Sequence, residues 1–541
     1  MTMNWRSLLV VAATVMLAAC KSSSSPKCNT AGGTTLAPTT WPKFRADPAN
    51  SGRAMVDLTA SQNTATLVFD GSCFAGNMHT VQTTQTCTVD ESNCPCEQIC
   101  KRIGPVSTTP ILGPAPIGEA EGDYPVFLAS SDGNVYAFNR ATPTLLGTPT
   151  PGATPTPVLM QVTGAILGSP LLGTDGVLVV PSNGLLTQFN PDNTIDHTTI
   201  LTGFAAASPN IWNGDGTVYV GTQTGNFQAV CANGVARFAA VVPLTQSAPV
   251  VAQDPNQTQP MPIIAVGGIN GQVRSYNLYG NQIWSFFASA NIVAALMVDE
   301  TTNLFYTADT AGRVFAANLA NGELDSEFSF TAGICAGGSM GGMPCVTDAN
   351  CPSSTCSVAS ITASPALGRD SAEPPRLYVA DQGIFPERGG VLYALYRDTG
   401  AVQWMFEADG PINSSPAVAT GGMNDVIILA ADIIEDLPDV GPVAIGGRVY
   451  AVQDDGDHPT LLWTFDPGHA IGASSPAIGP DGTIYIGRTG GRLGTADECK
   501  PMPTPCLVND GGALYAINRP VGPTPTAQPT CTAPPTPTAT P

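Results

Sequence analysis

Positive charge is scarce in this chain. Of its 541 residues only 21 are Lys or Arg, against 42 Asp or Glu, for a formal charge of −21. Phosphate binding needs basic clusters, and no Lys/Arg run of useful length exists, so nucleic acid is excluded as a partner and charge-driven docking on anionic lipid is disfavoured. Charged residues of both signs reach only 12%, about half the usual share, and the acid excess suits a soluble exported surface. Histidine is equally sparse. His79, His197, His458 and His469 are dispersed, with no His-x-x-x-His or His-Glu-x-x-His spacing for zinc. No Cys-x-x-Cys-His is present, which excludes a fused c-type cytochrome, and no two cysteines are adjacent. The Gly-rich stretch Gly337 to Gly342 lacks the Lys and the strand–helix setting of a phosphate loop. Long helical periods are missing too.

Glycine (57) and proline (49) are abundant, together about a fifth of the chain against a usual share of about 12%. They punctuate a repeat: a small residue followed by Pro, an apolar pair, a Gly-Asp-Gly type turn, then alternating strands. Its clearest copy is SSPAIGPDGTIYIG, Ser474 to Gly487, continued after an insertion by GGALYAIN, Gly511 to Asn518. Equivalent starts stand at Thr109, Ser169, Ser208, Ala248, Ala294, Ser364, Ser415 and Ser475, eight in all. The alternation in GTVYVG and RVYAV is that of strands. The steps Asp132-Gly133, Asp175-Gly176, Asp215-Gly216, Asn270-Gly271 and Asp481-Gly482 supply the positive φ of tight hairpins. A four-stranded sheet cannot bury both faces alone, so successive sheets must pack around an axis. An all-β, eight-bladed β-propeller with roughly 40 residues per blade is predicted over 41–519. Two spacings, Ser169 to Ser208 and Ser208 to Ala248, are 39 and 40 residues.

The longer spacings need inserts, placed at about 71–105, 331–358 and 488–510, with lengthened connections at Asp381 to Gly389 and Asp432 to Ile445 and a Thr/Pro-rich loop from Ala141 to Pro157. The last copy ends at Asn518 with no outer strand, whereas Thr66 to Asp70 is an orphan strand ahead of the first. Pairing the two closes the ring and removes both edges. Residues 520–541, Pro- and Thr-rich, are expected to be a tail without a core.

Met1 to Arg6 is positively charged and Ser7 to Leu17 is a short apolar run, followed by Leu17-Ala18-Ala19-Cys20. This resembles the lipobox of bacterial lipoproteins. Residues 1–20 are read as a signal peptide with Cys20 as the lipid attachment site, and 21–40 as a flexible tether. Lys21 after Cys20 favours the outer membrane or cell surface. The other fourteen cysteines then lie in an oxidising compartment and cluster in the inserts: Cys73, Cys87, Cys94, Cys96 and Cys100; Cys335, Cys345, Cys351 and Cys356; Cys499 with Cys506. Local disulfides are predicted within these groups, Cys499 to Cys506 among them. Cys28, Cys231 and Cys531 stand apart. The acidic run Asp454 to His458 lacks the calcium-loop spacing and reads as a solvated turn.

SSPAIGPDGTIYIG, SSPAVA and GGVLYALYRDTGAVQWMFEADG (Gly389 to Gly410) resemble the repeats of pyrroloquinoline-quinone-type propellers. In that family an Ala-x-Asp-x-x-x-Gly-x-x-x-Trp motif docks the tryptophan between neighbouring blades. Ala394, Gly400 and Trp404 match it, but Tyr396 stands at the Asp position; Trp284 and Trp463 occupy similar outer-strand ends. Trp41-Pro42-x-Phe44-Arg45-x-Asp47, through Asn50 and Gly52, resembles a segment that often precedes such propellers. The resemblance implies either a quinone-dependent dehydrogenase of alcohols or sugars, or a lipoprotein that assists outer-membrane protein assembly. The dehydrogenases carry adjacent cysteines against the cofactor and a Ca²⁺-binding carboxylate set, neither identifiable here. The expectation is a non-enzymatic binding or scaffold protein, with no cofactor, whose partner is a protein or glycan at the cell envelope.

Overall fold

In seven of the eight repeats a small-residue–Pro step leads into a short inner strand; the fifth has Ala294-Ala295 instead. Pro fixes φ and has no N–H to pair, so the sheet begins just after it. Three more strands follow, each antiparallel to its neighbour, and eight such sheets form a ring in the computed structural model. Described are residues 35–37, 39, 41–63, 65–70, 78–79, 99–100, 104–114, 125–139, 159–241, 246–345, 348–372, 374–437, 440–494 and 506–518.

Blades 1 to 4 begin with the inner strands Ile111–Leu112, Leu171–Leu172, Asn210–Trp212 and Val250–Gln253. Blades 5 to 8 begin with Met297–Asp299, Ala366–Leu367, Ala417–Ala419 and Ala477–Ile478. In blades 1 to 7 the four strands are consecutive in the chain. Blade 8 takes its outermost strand from the other end of the chain, Ala65–Asp70 pairing antiparallel with Ala513–Ile517 from Ala65↔Ile517 to Asp70↔Ala513. The ring is therefore closed with strands from both ends of the repeat region. The glycines of the five Asp/Asn-Gly steps all have φ between 70° and 86°, the left-handed region the hairpins require.

Burial follows the two-residue period. In blade 7, Ile427 and Leu429 pack toward blade 6 with Tyr378 and Leu392, while Val426, Ile428 and Ala430 pack toward blade 8 with Ile484 and Ile486. One strand thus serves two cores, which explains its almost uninterrupted apolar sequence. The outermost strands alternate instead, as in Ile195–Ile200, because one of their faces meets water.

Three tryptophans link adjacent blades. Trp284 Nε1 of blade 4 donates to the Leu319 carbonyl of blade 5 at 2.8 Å, and Trp404 Nε1 of blade 6 to Asp454 Oδ1 of blade 7 at 2.8 Å. Trp463 Nε1 of blade 7 donates to Ser61 Oγ, just ahead of the closing strand of blade 8, at 2.9 Å. Gly322, at φ 70°, lies under Trp284, where an added Cβ would come within 2.6 Å of the indole. Buried carboxylates make further links. Asp432 of blade 7 accepts the N–H groups of Ile471 and Gly472 at the entry to blade 8, both at 2.9 Å, and burial raises its pKa.

The inserts are small structures in their own right. Gly333–Cys335, Pro344–Cys345 and Cys356–Val358 form a three-stranded sheet held by Cys335–Cys351 and Cys345–Cys356 disulfides. Gly491–Leu493 pairs with Leu507–Asn509. The second and third strands of blade 7, Val426–Leu437 and Gly441–Asp454, extend into a long hairpin.

Candidate functional site

The axis of the ring is filled by the chain's own N-terminal segment. Sequence reasoning placed the Trp41 to Gly52 motif ahead of the propeller; it lies inside. Its carbonyls take the first free N–H of successive inner strands: Trp41 O from Leu112 (2.8 Å), Pro42 O from Leu172 (2.9 Å), Pro48 O from Val251 (3.0 Å) and Ala49 O from Val298 (2.8 Å). Ser51 O then takes Leu367 N–H (3.0 Å) and Gly52 O takes Val418 N–H (2.9 Å), after which Arg53–Ala54 adds a fifth strand parallel to blade 7. Blade 3 joins through Asn210 Nδ2, which donates to Pro48 O at 2.8 Å. Inner-strand edges are a propeller's unpaired backbone, and this plug pairs them at seven blades.

Its side chains complete the pairing. Asn50 Nδ2 donates to the carbonyls of Pro249 (3.1 Å) and Leu296 (2.7 Å), and the Arg45 guanidinium forks onto those of Pro365 and Pro416. Lys43 Nζ donates to Phe44 O (2.6 Å), Asp47 O (2.9 Å) and Asn50 Oδ1 (2.6 Å). Arg45, Ala46 and Asn50 have φ of 64°, 67° and 56°, a region that costs L-residues roughly 1–2 kcal/mol each, so the plug's path depends on its surroundings. Gly52, at φ 66°, leaves room for Arg45: a Cβ there would stand 2.0 Å from the guanidinium. Both cations are 1% exposed and have no carboxylate at ion-pair distance among the described residues. Burial lowers the Lys43 pKa to about 7 and that of Arg45 to about 9.

One residue further along the axis, the repeat starts form a ring of hydroxyls. Thr109 N–H donates to Ser169 Oγ (2.9 Å), Ser169 N–H to Ser208 Oγ (2.8 Å), Ala295 N–H to Ser364 Oγ (2.8 Å), Ser364 N–H to Ser415 Oγ (2.9 Å) and Ser415 N–H to Ser475 Oγ (2.9 Å). Each serine is thus an acceptor for the preceding blade, which gives the serine of the Ser-Pro step a purpose beyond turn formation. Ser474 Oγ donates to Thr108 O at 2.9 Å, linking blade 8 to blade 1. The ring encloses an axial cavity of about 160 Å³ with Phe44 among its lining residues. A second hollow of about 390 Å³, lined by Asp47, Arg53, Trp212 and Glu300, lies at the turns between first and second strands.

Strand order decides which face carries the inserts. The inner strand starts at the serine ring, so turns between second and third strands and connections between blades lie on that face. Insert 333–358 joins blades 5 and 6, connection 71–104 joins blades 8 and 1, and 381–389, 432–445 and 488–509 follow second strands. The described parts of 333–358, 381–389, 432–445 and 488–509 therefore stand on the face that bears the serine ring. The blade 7 hairpin leans on the blade 8 insert, where a Cβ at Gly491 would sit 2.8 Å from the Ala444 carbonyl oxygen.

Of the residues picked out from sequence, Cys20, Cys28, Cys73, Cys87, Cys94, Cys96, Cys499 and Cys531 lie outside the described residues, and Cys100 ends a strand paired with Met78–His79. Cys231 and Cys506 are each disulfide-bonded to a partner outside the described residues. Cys335, Cys345 and Cys351 are near enough to one another for a metal, but their sulfurs are already in disulfides. In the Asp454–His458 run, Asp454 accepts from Tyr378 Oη (2.7 Å), Trp404 and Gly456 N–H (2.8 Å), while Asp455 accepts from Asn424, Gln453 and Thr460. These carboxylates are engaged in protein contacts.

Blade 6 carries the repeat motif, with Trp404 docked on the next blade. Residues 357–498, less than half of the chain, match the family described as outer membrane protein assembly factor BamB. Over that stretch the chain is similar to pyrroloquinoline-quinone-type repeats, as its blade 6 motif implied. A search of curated proteins finds no match. Among solved structures, BamB from Moraxella catarrhalis is similar at 14% identity and TM-score 0.46, covering 74% of this chain and 92% of that one. The computationally designed Ika8 protein (11%, TM-score 0.47) and the C-terminal WD40 domain of Sif2 (10%, TM-score 0.49) each cover 77% of this chain and 96% of their own.

The residues at the axis do not fit a pyrroloquinoline quinone. Cofactor pockets run from about 300 to 1,000 Å³, and this cavity has about 160 Å³. Among the described residues no tryptophan, cysteine or carboxylate lines it, so these residues offer neither an adjacent-cysteine lid nor a Ca²⁺ ligand set. Cations are nonetheless present at the axis, contrary to the scarcity inferred from composition, but Lys43 Nζ and the two terminal nitrogens of Arg45 already donate to the plug and to blades 6 and 7.

Proposed function

We propose that this chain is an exported, lipid-anchored scaffold whose insert-bearing face binds a protein at the cell envelope. One observation carries the reading. Four of the inserts on that face present large apolar side chains to solvent: Met343 and Val358, Phe385, Val440 and Leu507 are 40–66% exposed. Exposed apolar side chains arranged on one face suit protein anchors better than a glycan, which calls for flat aromatic platforms and hydrogen-bonding groups. Propellers host many unrelated functions, so the fold class alone decides little. The lipobox-like Leu17 to Cys20 and the cysteine-rich inserts support an oxidising, membrane-proximal location.

The test is site-specific photo-crosslinking in the native envelope. A photoreactive residue at 385, 440 or 507 should capture the same protein, and one at 423, on the opposite face, should not. Equal capture from both faces, or none from the insert face, refutes the assignment. The competing reading, a quinone-dependent dehydrogenase of alcohols or sugars, predicts saturable micromolar binding of quinone with Ca²⁺ and dye-linked oxidation. Calorimetric titration of the purified protein with both is expected to show neither binding nor turnover.

A further inference from the structure

We propose that the axial cavity is an oxyanion-binding site that takes a carboxylate. The inference does not rest on protein docking at the insert face, since it follows from the hydroxyl ring and the cations of the plug.

A serine hydroxyl has one proton to donate and two lone pairs to accept with. Ser169, Ser208, Ser364, Ser415 and Ser475 each use a lone pair on the N–H of the preceding blade, and among the described residues none donates its own proton to the protein. All five are at most 9% exposed and all five line the cavity. Five O–H donors from five blades therefore converge on one small space. Leaving a buried donor unpaired costs roughly 1–3 kcal/mol, so the space must hold acceptors. Its volume of about 160 Å³ has room for about five waters at ~30 Å³ each, or for one small anion with fewer.

Two features favour the anion over water. Among the described residues no Asp or Glu lines the cavity, although the chain has 42 of them. Beneath it lie Lys43 and Arg45, both buried; Arg45 forks onto the carbonyls of Pro365 and Pro416, which directly follow two of the ring serines. No carboxylate stands at ion-pair distance from the buried guanidinium among the described residues; Asp47 offsets its charge only from further away, and in a low-dielectric setting the remainder acts strongly on a neighbour one residue away. The distant surface acids are screened beyond about 8 Å at physiological salt. Hydrogen bonds to an ionised acceptor are roughly twice as strong as neutral ones, and a carboxylate's two oxygens match donors arriving from opposite sides of a ring. The serine ring lies on the insert-bearing face, so the carboxylate can belong to a free small acid or to the C-terminus of a peptide lying along the axis.

The experiment uses saturation-transfer NMR at low salt on the purified chain. The probes are sodium acetate, a short acetylated peptide ending in a free carboxylate, and the same peptide amidated. Acetate is expected to bind and the amidated peptide not to. Binding of the free-acid peptide as well assigns the site to a chain terminus; acetate binding without it assigns the site to small acids. Ala206→Leu fills the cavity wall without removing a hydroxyl and should abolish the acetate signal while far-UV dichroism stays unchanged. Ser364→Ala with Ser415→Ala should weaken acetate by about a hundredfold or more, the effect of losing two donors to a charged acceptor. Absence of an acetate signal in the wild-type protein, or acetate binding that survives Ala206→Leu, overturns the proposal.

Discussion

Trp284, Trp404 and Trp463 occupy equivalent outer-strand positions but give their indole N–H to three different acceptors, so replacing each by Phe separates acceptor chemistry from packing. The loss of ring area is common to all three. Trp404 donates to Asp454, a buried carboxylate that has Tyr378 Oη at 2.7 Å and Gly456 N–H at 2.8 Å as other donors, with Arg376 Nε at 3.6 Å. Losing a hydrogen bond to such a charged group costs roughly 1.5–3 kcal/mol, against roughly 0.5–1.5 kcal/mol for a neutral acceptor. Trp284 faces a neutral carbonyl, and Trp463 faces the Ser61 hydroxyl, which is part-exposed and can turn to water. Trp404→Phe should therefore destabilise the propeller by about 1 kcal/mol more than either partner substitution, within totals of about 2–4 kcal/mol. Urea unfolding followed by far-UV circular dichroism measures this without relying on tryptophan emission. If Trp404→Phe matches Trp284→Phe within about 0.5 kcal/mol, a difference smaller than one neutral hydrogen bond contributes, the Asp454 contact has no special role.

Cys20→Ala should move the protein from the membrane to the soluble fraction, and retention through ordinary washing would refute lipid anchoring there. Deleting residues 60–70 removes the closing strand and the Trp463 contact; loss of cooperative unfolding is expected, whereas deleting a loop of equal length from 488–509 should leave the ring folded. Lys43, whose pKa falls from 10.5 to about 7 on folding, binds fewer protons folded than unfolded above pH 7. Stability should therefore rise with pH, by up to about 1.4 kcal/mol per unit between pH 7 and 9, below the range where Arg45 joins. Lys43→Met should flatten that slope, and an unchanged slope would place its origin elsewhere.

The blades were legible in sequence because their signals are local. Small-residue–Pro steps and Asp/Asn-Gly turns act over a few residues, and eight repeat starts in register imply eight sheets. The closing strand was legible for a related reason: an orphan strand at one end and a missing one at the other leave two edges that only each other can satisfy. Trp404 is intermediate. The motif's Asp is replaced by Tyr396, yet the indole still finds a carboxylate, Asp454, fifty residues on and in the next blade. No spacing rule within a repeat points to that residue.

The plug was hidden because its partners are remote in the chain. Arg45 reaches Pro365 and Pro416 over 320 and 371 residues, and a residue ahead of a repeat array looks like a leader whatever it touches. One signal was available, though composition obscured it. In a chain so poor in cations, Lys43 and Arg45 stand two residues apart in a stretch with Trp41, Phe44 and Gly52 and almost no other charge. Such a pairing is costly to bury and has little use on an acidic surface, which already has ample charge for solubility. It is useful where many backbone carbonyls converge. Eight inner strands meeting at one axis create that need, since each brings polar groups that no neighbouring blade can pair. Eight-fold repetition therefore calls for something non-repeated at its centre, and the odd segment preceding the first blade is where the chain supplies it.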